Sequence, residues 1–180
     1  MKKIICLLIA LVKVSTFIFG NQVTLHDILV EYELPSQEYK EILKNSDPNN
    51  PRQSIIIKFP KIYSEKYQLT IIPNLSISSE KVPDEVTSLD YFFFQLEIFK
   101  RFGIDTDQAE EDILECNMPS PVTFFSKYEK DGVIHNIYHV SSVTNGIAFS
   151  IIFDATDDIY HIYRDSLQEI LKSLHIVNSG

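Results

Sequence analysis

The chain has 180 residues, with 16 basic and 25 acidic side chains, a net charge of −9, two cysteines and no tryptophan. That length suits one ordinary domain, and a 44% hydrophobic share excludes a disordered acidic chain. The negative charge argues against nucleic-acid binding, which needs a basic footprint to displace phosphate counterions, and two cysteines cannot staple a disulfide scaffold.

Met1-Lys2-Lys3 precedes an unbroken apolar run, Ile4 to Val12, before Lys13 and a second apolar stretch to Gly20. A basic end, a short apolar core and a small-residue tail predict a secretory signal peptide over 1–20. A bilayer-crossing helix needs about 20 apolar residues, so no permanent membrane span is expected after cleavage. Loss of Lys2, Lys3 and Lys13 takes the basic count from 16 to 13 and the charge from −9 to −12. The remaining 21–180 reads as one domain with a lone thiol, Cys116, and the expected location is exported, periplasmic or secreted.

Ile28, Val30, Tyr32 and Leu34 alternate with polar residues and predict a strand ending at Pro35. Tyr39, Ile42 and Leu43 have helical spacing, which predicts a short helix over 36–44. Residues 45–51 form a loop rich in Asn and Pro. Two further strands are predicted over 54–59 and 66–72, each halted by a proline. Asn74-Leu75-Ser76 is a glycosylation sequon if the source is eukaryotic.

From 88 to 102 the period changes. Leu89, Phe92, Phe93, Leu96 and Phe99 form a core stripe at helical steps, Thr87 with Asp90 forms a capping box, and Gly103-Ile104 closes the helix. Tyr91, Phe94 and Ile98 form an adjoining second stripe, which makes them the candidate partner-binding surface. A second, acidic helix is predicted from Asp105 to about Cys116.

The period then returns to two. Strands are predicted over 122–129, 133–140 and 147–153, joined by Asp131-Gly132 and Asn145-Gly146 turns that need positive φ. Thr156-Asp157-Asp158 opens a last helix with a core stripe of Ile159, Ile162, Tyr163, Leu167, Ile170, Leu171 and Leu174. Antiparallel strands with helices grouped in blocks define an α+β fold, an antiparallel sheet flanked by helices.

The common catalytic motifs are missing. Gly103, Gly132 and Gly146 each sit at a helix end or a turn, which leaves no phosphate-cradling loop; Gly-x-Ser-x-Gly and His-Glu-x-x-His are also absent. Asp105-Thr106-Asp107 fails as a calcium loop at Ala109, Glu110 and Cys116. His135 and His139 on a strand lie roughly 13 Å apart, too far to share an ion directly. His161 and Asp157 have helical spacing, but a carboxylate in a first helical turn has its own role on the helix dipole. Cys116 falls at a predicted helix end rather than a start, which suits a structural thiol. No cofactor, metal ligand or catalytic residue is assigned.

The C-terminal half, Gly146-Ile147-Ala148-Phe149-Ser150-Ile151-Ile152-Phe153 followed by a helix closing on Ile170-Leu171-Lys172-Ser173-Leu174-His175-Ile176, resembles the PsbP-like and DcrB-like families. The strand from Ile28 to Pro35 is similar to theirs as well. The resemblance implies an antiparallel sheet with helices on both sides, an α/β/α sandwich. It also implies exported accessory, assembly or chaperone-like binding proteins, most of them non-catalytic. The expected function is therefore an exported, non-enzymatic accessory domain whose partner is another protein. A secreted effector or virulence factor and a hydrolase with a dispersed, motif-free site are the alternatives.

Overall fold

The computed structural model describes residues 19–45, 47, 49–104 and 114–177. The expected signal peptide's basic end and apolar core, and residues 105–113 of the expected acidic helix, lie outside the described residues. No described helix is long and apolar enough to cross a membrane.

Strand β1 (Phe19–Leu25) turns at His26-Asp27 into β2 (Ile28–Leu34). Both turn residues have positive φ, 49° and 66°, so a two-residue hairpin forms without glycine. β2 is the strand expected from the alternation; β1 was not expected. Val30, Tyr32 and Leu34 are buried, and Val23 and Leu25 join them from β1.

The segment expected to be a helix over 36–44 is instead a turn followed by an edge strand, β3 (Lys40–Asn45). So short a segment cannot nucleate a helix alone, whereas the edge of β4 (Arg52–Lys58) supplies backbone partners from Lys40↔Lys58 to Asn45↔Ser54. Tyr39 drops into the core, its ring 4.9 Å from Phe59, and Ile42 stays 41% exposed. The strand expected over 66–72 shortens to β6 (Leu69–Ile71), paired with β5 (Ile62–Ser64), because Gln68 takes φ 55° in the connecting turn.

β7 (Asn74–Lys81) was not expected. Ser76, Ser78 and Ser79 hide the strand pattern, yet Leu75 and Ile77 are fully buried. The sequon thus opens a strand flanked on both sides.

Helix α1 (Ser88–Arg101) follows, and then β8 (Val122–Lys130), β9 (Val133–Thr144) and β10 (Ile147–Thr156). Their turns hold Asp131-Gly132 at φ 54° and 78°, and Asn145-Gly146 at 51° and 69°, as the sequence requires. Residues 114–117, the expected end of the acidic helix, are irregular rather than helical.

Helix α2 (Asp157–Ser173) buries Ile159, Tyr163, Leu167, Ile170 and Leu171, with Leu174 just beyond. Ile162 departs from the expected stripe and is 56% exposed, while Tyr160 is buried against Phe125 and Phe153. The chain then adds β11 (His175–Val177) to the free side of β2.

Six strands form one antiparallel sheet in the order β3-β4-β7-β10-β9-β8. The small β1-β2-β11 sheet and α2 cover one face, where Ile55, Ile77, Phe149, Ile151 and Leu171 form the main core. On the other face α1 lies on β9 and β8. Each fully buried Leu, Ile or Phe contributes roughly 1.5–3 kcal/mol relative to exposure. The α+β class and the sheet flanked by helices are as expected.

Candidate functional site

Helix α1 is fixed at both ends. Asp90 N–H donates to Thr87 Oγ1 at 3.2 Å, and Thr87 N–H and O–H donate to Asp90 Oδ2 at 3.0 and 2.6 Å. These bonds from Thr87 hold the Asp90 carboxyl below its ordinary range. At the far end Gly103 takes φ 76°, Gly103 N–H donates to Lys100 O and Ile104 N–H to Phe99 O. Ile104 packs beside Phe99, which completes the hydrophobic clasp.

The helix's rotation is the unexpected feature. Ser88, Tyr91, Gln95 and Phe99 face the sheet; Phe92 and Leu96 are half-buried beside them. Leu89 and Phe93, expected in the core stripe, are 51% and 56% exposed. At about 100° per residue, the buried face sits roughly a quarter turn from the expected stripe. The physical reason lies in the sheet beneath. Val143 N–H donates to Ser88 Oγ at 2.9 Å, and Tyr91 O–H donates to the Glu80 carboxylate on β7. The surface under α1 is mixed: Phe124, Ile137 and Ile152 meet Phe99, Phe92 and Leu96, and the polar groups of β7 and β9 take the side that carries Ser88 and Tyr91.

A polar seam, buried except at Arg52, runs across that surface. Arg52 Nη2 donates to Ser78 Oγ at 2.9 Å, and Ser78 O–H donates to Ser150 O at 3.3 Å. His139 Nε2 lies 3.1 Å from Ser150 Oγ and 3.4 Å from Ser141 Oγ. Phe92 stacks over the His139 ring at 6.3 Å, and Phe99 meets it edge-on at 5.0 Å. Burial, with the Arg52 charge second, pushes the imidazole down to about 3, so His139 is neutral. Burial and the Glu80 carboxylate push the Tyr91 phenol well above its ordinary value. His139, Ser141 and Ser150 are all 0% exposed, so this serine–histidine contact lies wholly beneath the surface.

The other candidates separate. His135 Nδ1 lies 2.8 Å from Asp154 Oδ1, Tyr128 O–H donates to Asp154 Oδ2 at 2.7 Å, and the Tyr128 ring stacks on His135. His135 and His139 thus have separate partners. Among the described residues no three His, Cys, Asp or Glu side chains are placed to hold a metal ion. Asp157 binds Lys66 at 2.6 Å and Tyr67 at 2.9 Å, while His161 is exposed. Cys116 is a half-buried free thiol, pushed up to about 11 by burial.

Of the three candidate surface residues, Tyr91 is turned inward at 3% exposure, Ile98 is half-buried and Phe94 is 56% exposed. The outward face is made instead by Leu89, Phe93 and Phe94; Phe102, at the helix end and 77% exposed, lies about half a turn round from Phe93. Beside α1, among the described residues, no helix lies on this face of strands β3, β4 and β7, where Ile42 is exposed and Ile56 and Ser76 are half-buried.

Among the described residues, a six-stranded antiparallel sheet with one helix on each face defines an α+β class that other proteins share. LpqN of Mycobacterium tuberculosis, whose crystal structure is described as that of a protein involved in cell envelope biogenesis, superposes with a TM-score of 0.54 at 16% identity over 89% of this chain and 92% of that one. A protein of Bacteroides thetaiotaomicron matches at 12% identity and a TM-score of 0.48 over 89% of this chain, which spans half of that one. At such identity the LpqN likeness is one of fold. No protein-family model and no curated protein matches the sequence, so the likeness to PsbP-like and DcrB-like domains rests on the residues alone.

Proposed function

We propose that the protein is an exported, non-enzymatic accessory domain of the cell envelope that binds another protein through the outward face of α1. The exposure of that face carries the reading: Leu89, Phe93 and Phe94 are 51–56% exposed. Single exposed hydrophobics are ordinary, but a run of them along one helix marks an interaction surface, and aromatic side chains are enriched in such interfaces. The basic and apolar pattern of residues 1–20 supports export, and the fold shared with LpqN supports a place in the envelope. The sealed His139–Ser150 contact supports a non-enzymatic role. So does the His135–Asp154 pair, which has no serine, threonine or cysteine among its hydrogen-bond partners in the described residues.

The test compares proteins recovered from envelope fractions with the tagged wild type, with Phe93→Ser/Phe94→Ser, and with Ile162→Ser on α2. The expected result is a stoichiometric partner held by wild type and Ile162→Ser and lost from the double variant. Equal recovery with the double variant would overturn the assignment.

A further inference from the structure

At the end of β3 and β4 a cleft of about 640 Å³ opens between three lysines, Lys40, Lys58 and Lys61, and the apolar pair Pro60 and Ile72, with Glu38 on its rim. We propose that this cleft binds an amphiphilic oxyanion: a phosphate or carboxylate head on the lysines and an alkyl chain along Ile72. The reading is independent of the α1 surface.

Charge is the first argument. Lys40 and Lys58 sit directly opposite each other in the antiparallel register. Such cross-strand neighbours have Cβ atoms about 5 Å apart, and like charges there repel. The protein is acidic overall, with a net charge of −9, and it pairs Lys66 with Asp157, Lys100 with Glu97 and Lys172 with Glu115. None of the three cleft lysines has a carboxylate partner among the described residues. With Glu38 counted, the lining carries a net charge of +2 on an acidic protein. A bound oxyanion would relieve the repulsion, and Glu38 disfavours a polyanion.

The second argument is the apolar wall. Ile72 is 48% exposed beside the cationic group, as an alkyl chain requires, and the cleft falls within the roughly 300–1,000 Å³ range of small-molecule sites. The third is rigidity. Tyr163 O–H donates to Pro60 O at 2.8 Å, and Phe59 N–H donates to Pro73 O at 2.9 Å. The Phe59 ring is held by Phe153 at 4.9 Å and Tyr163 at 5.5 Å. The lysine-bearing stretch and Ile72 are therefore fixed relative to each other before any ligand arrives, which lowers the ordering cost of binding.

The experiment is isothermal titration of the full chain with dodecyl phosphate, dodecanoate, dodecyl maltoside and inorganic phosphate, the amphiphiles kept below their critical micelle concentrations. We expect saturable one-to-one binding of at least one anionic amphiphile, and the tighter of the two identifies the head group. Dodecyl maltoside and inorganic phosphate should bind at least tenfold more weakly than that amphiphile. Lys58→Gln/Lys61→Gln should weaken its binding at least tenfold, and Lys130→Gln should leave it unchanged. Circular dichroism confirms that both variants fold. The proposal is overturned if neither anionic amphiphile saturates, if dodecyl maltoside or inorganic phosphate binds as tightly, or if Lys130→Gln causes the same loss.

Discussion

His139 makes the folded protein acid-sensitive in a way that can be isolated. Its ring is fully buried among Phe92, Phe99, Ser141 and Ser150, and its folded-state value is about 3. In the unfolded chain a histidine titrates at about 6.5. Between these values the unfolded state takes up a proton that the native state refuses. The stability contribution is therefore intact above the unfolded value, falls as pH drops, and levels off near the folded one. Integrating the linkage relation gives a loss of about 2.5 kcal/mol between pH 6 and pH 4 from this group alone. Urea unfolding followed by circular dichroism at both pH values, on wild type and His139→Gln, measures it. Other groups titrate alike in the two proteins, so the wild type should lose about 2.5 kcal/mol more than the variant over that interval. A difference near zero would refute the sealed, neutral imidazole.

Three further outcomes follow from local geometry. In a Cys6→Ser background, native Cys116 should react with iodoacetamide at pH 8 about a hundredfold more slowly than in urea, because burial raises the thiol. Gly146→Ala should lower stability by about 1–2 kcal/mol in urea unfolding, since Gly146 has φ 69° and a Cβ there would lie 2.8 Å from the Asp84 carboxylate. Thr87→Ala removes the acceptor for Asp90 N–H and should cost about 1 kcal/mol, read as a lower urea midpoint with an unchanged slope.

The C-terminal half is legible because its signals are local. Asp131-Gly132 and Asn145-Gly146 each demand a tight turn, and α2 repeats its apolar spacing for four turns. α1 is legible as a helix for the same reason, through Thr87, Asp90 and Gly103. Its rotation is not, because the surface that chooses the buried side is assembled from distant strands. Glu80 on β7, His139 on β9 and Ser150 on β10 meet only when the sheet forms. Hydrophobicity alone placed Leu89 and Phe93 inside, whereas the polar seam drew in Ser88, Tyr91 and Gln95. That change moved the candidate surface from Tyr91, Phe94 and Ile98 to Leu89, Phe93 and Phe94, with Phe94 common to both. β7 was hidden because its serines interrupt the apolar alternation. The lysine cleft was hidden because only the β3–β4 register brings Lys40 beside Lys58, and residues 36–44 read locally as a helix.

Site-specific photo-cross-linking shows whether the outward face of α1 holds another protein. A photoreactive phenylalanine analogue is placed at position 93 or 94, with position 162 on α2 as the control, and cells expressing the full chain are irradiated. One discrete adduct with another protein is expected from positions 93 and 94 and none from 162, although Phe93, Phe94 and Ile162 are equally exposed at 56%. No adduct from either α1 position, or the same adduct from all three, would contradict it.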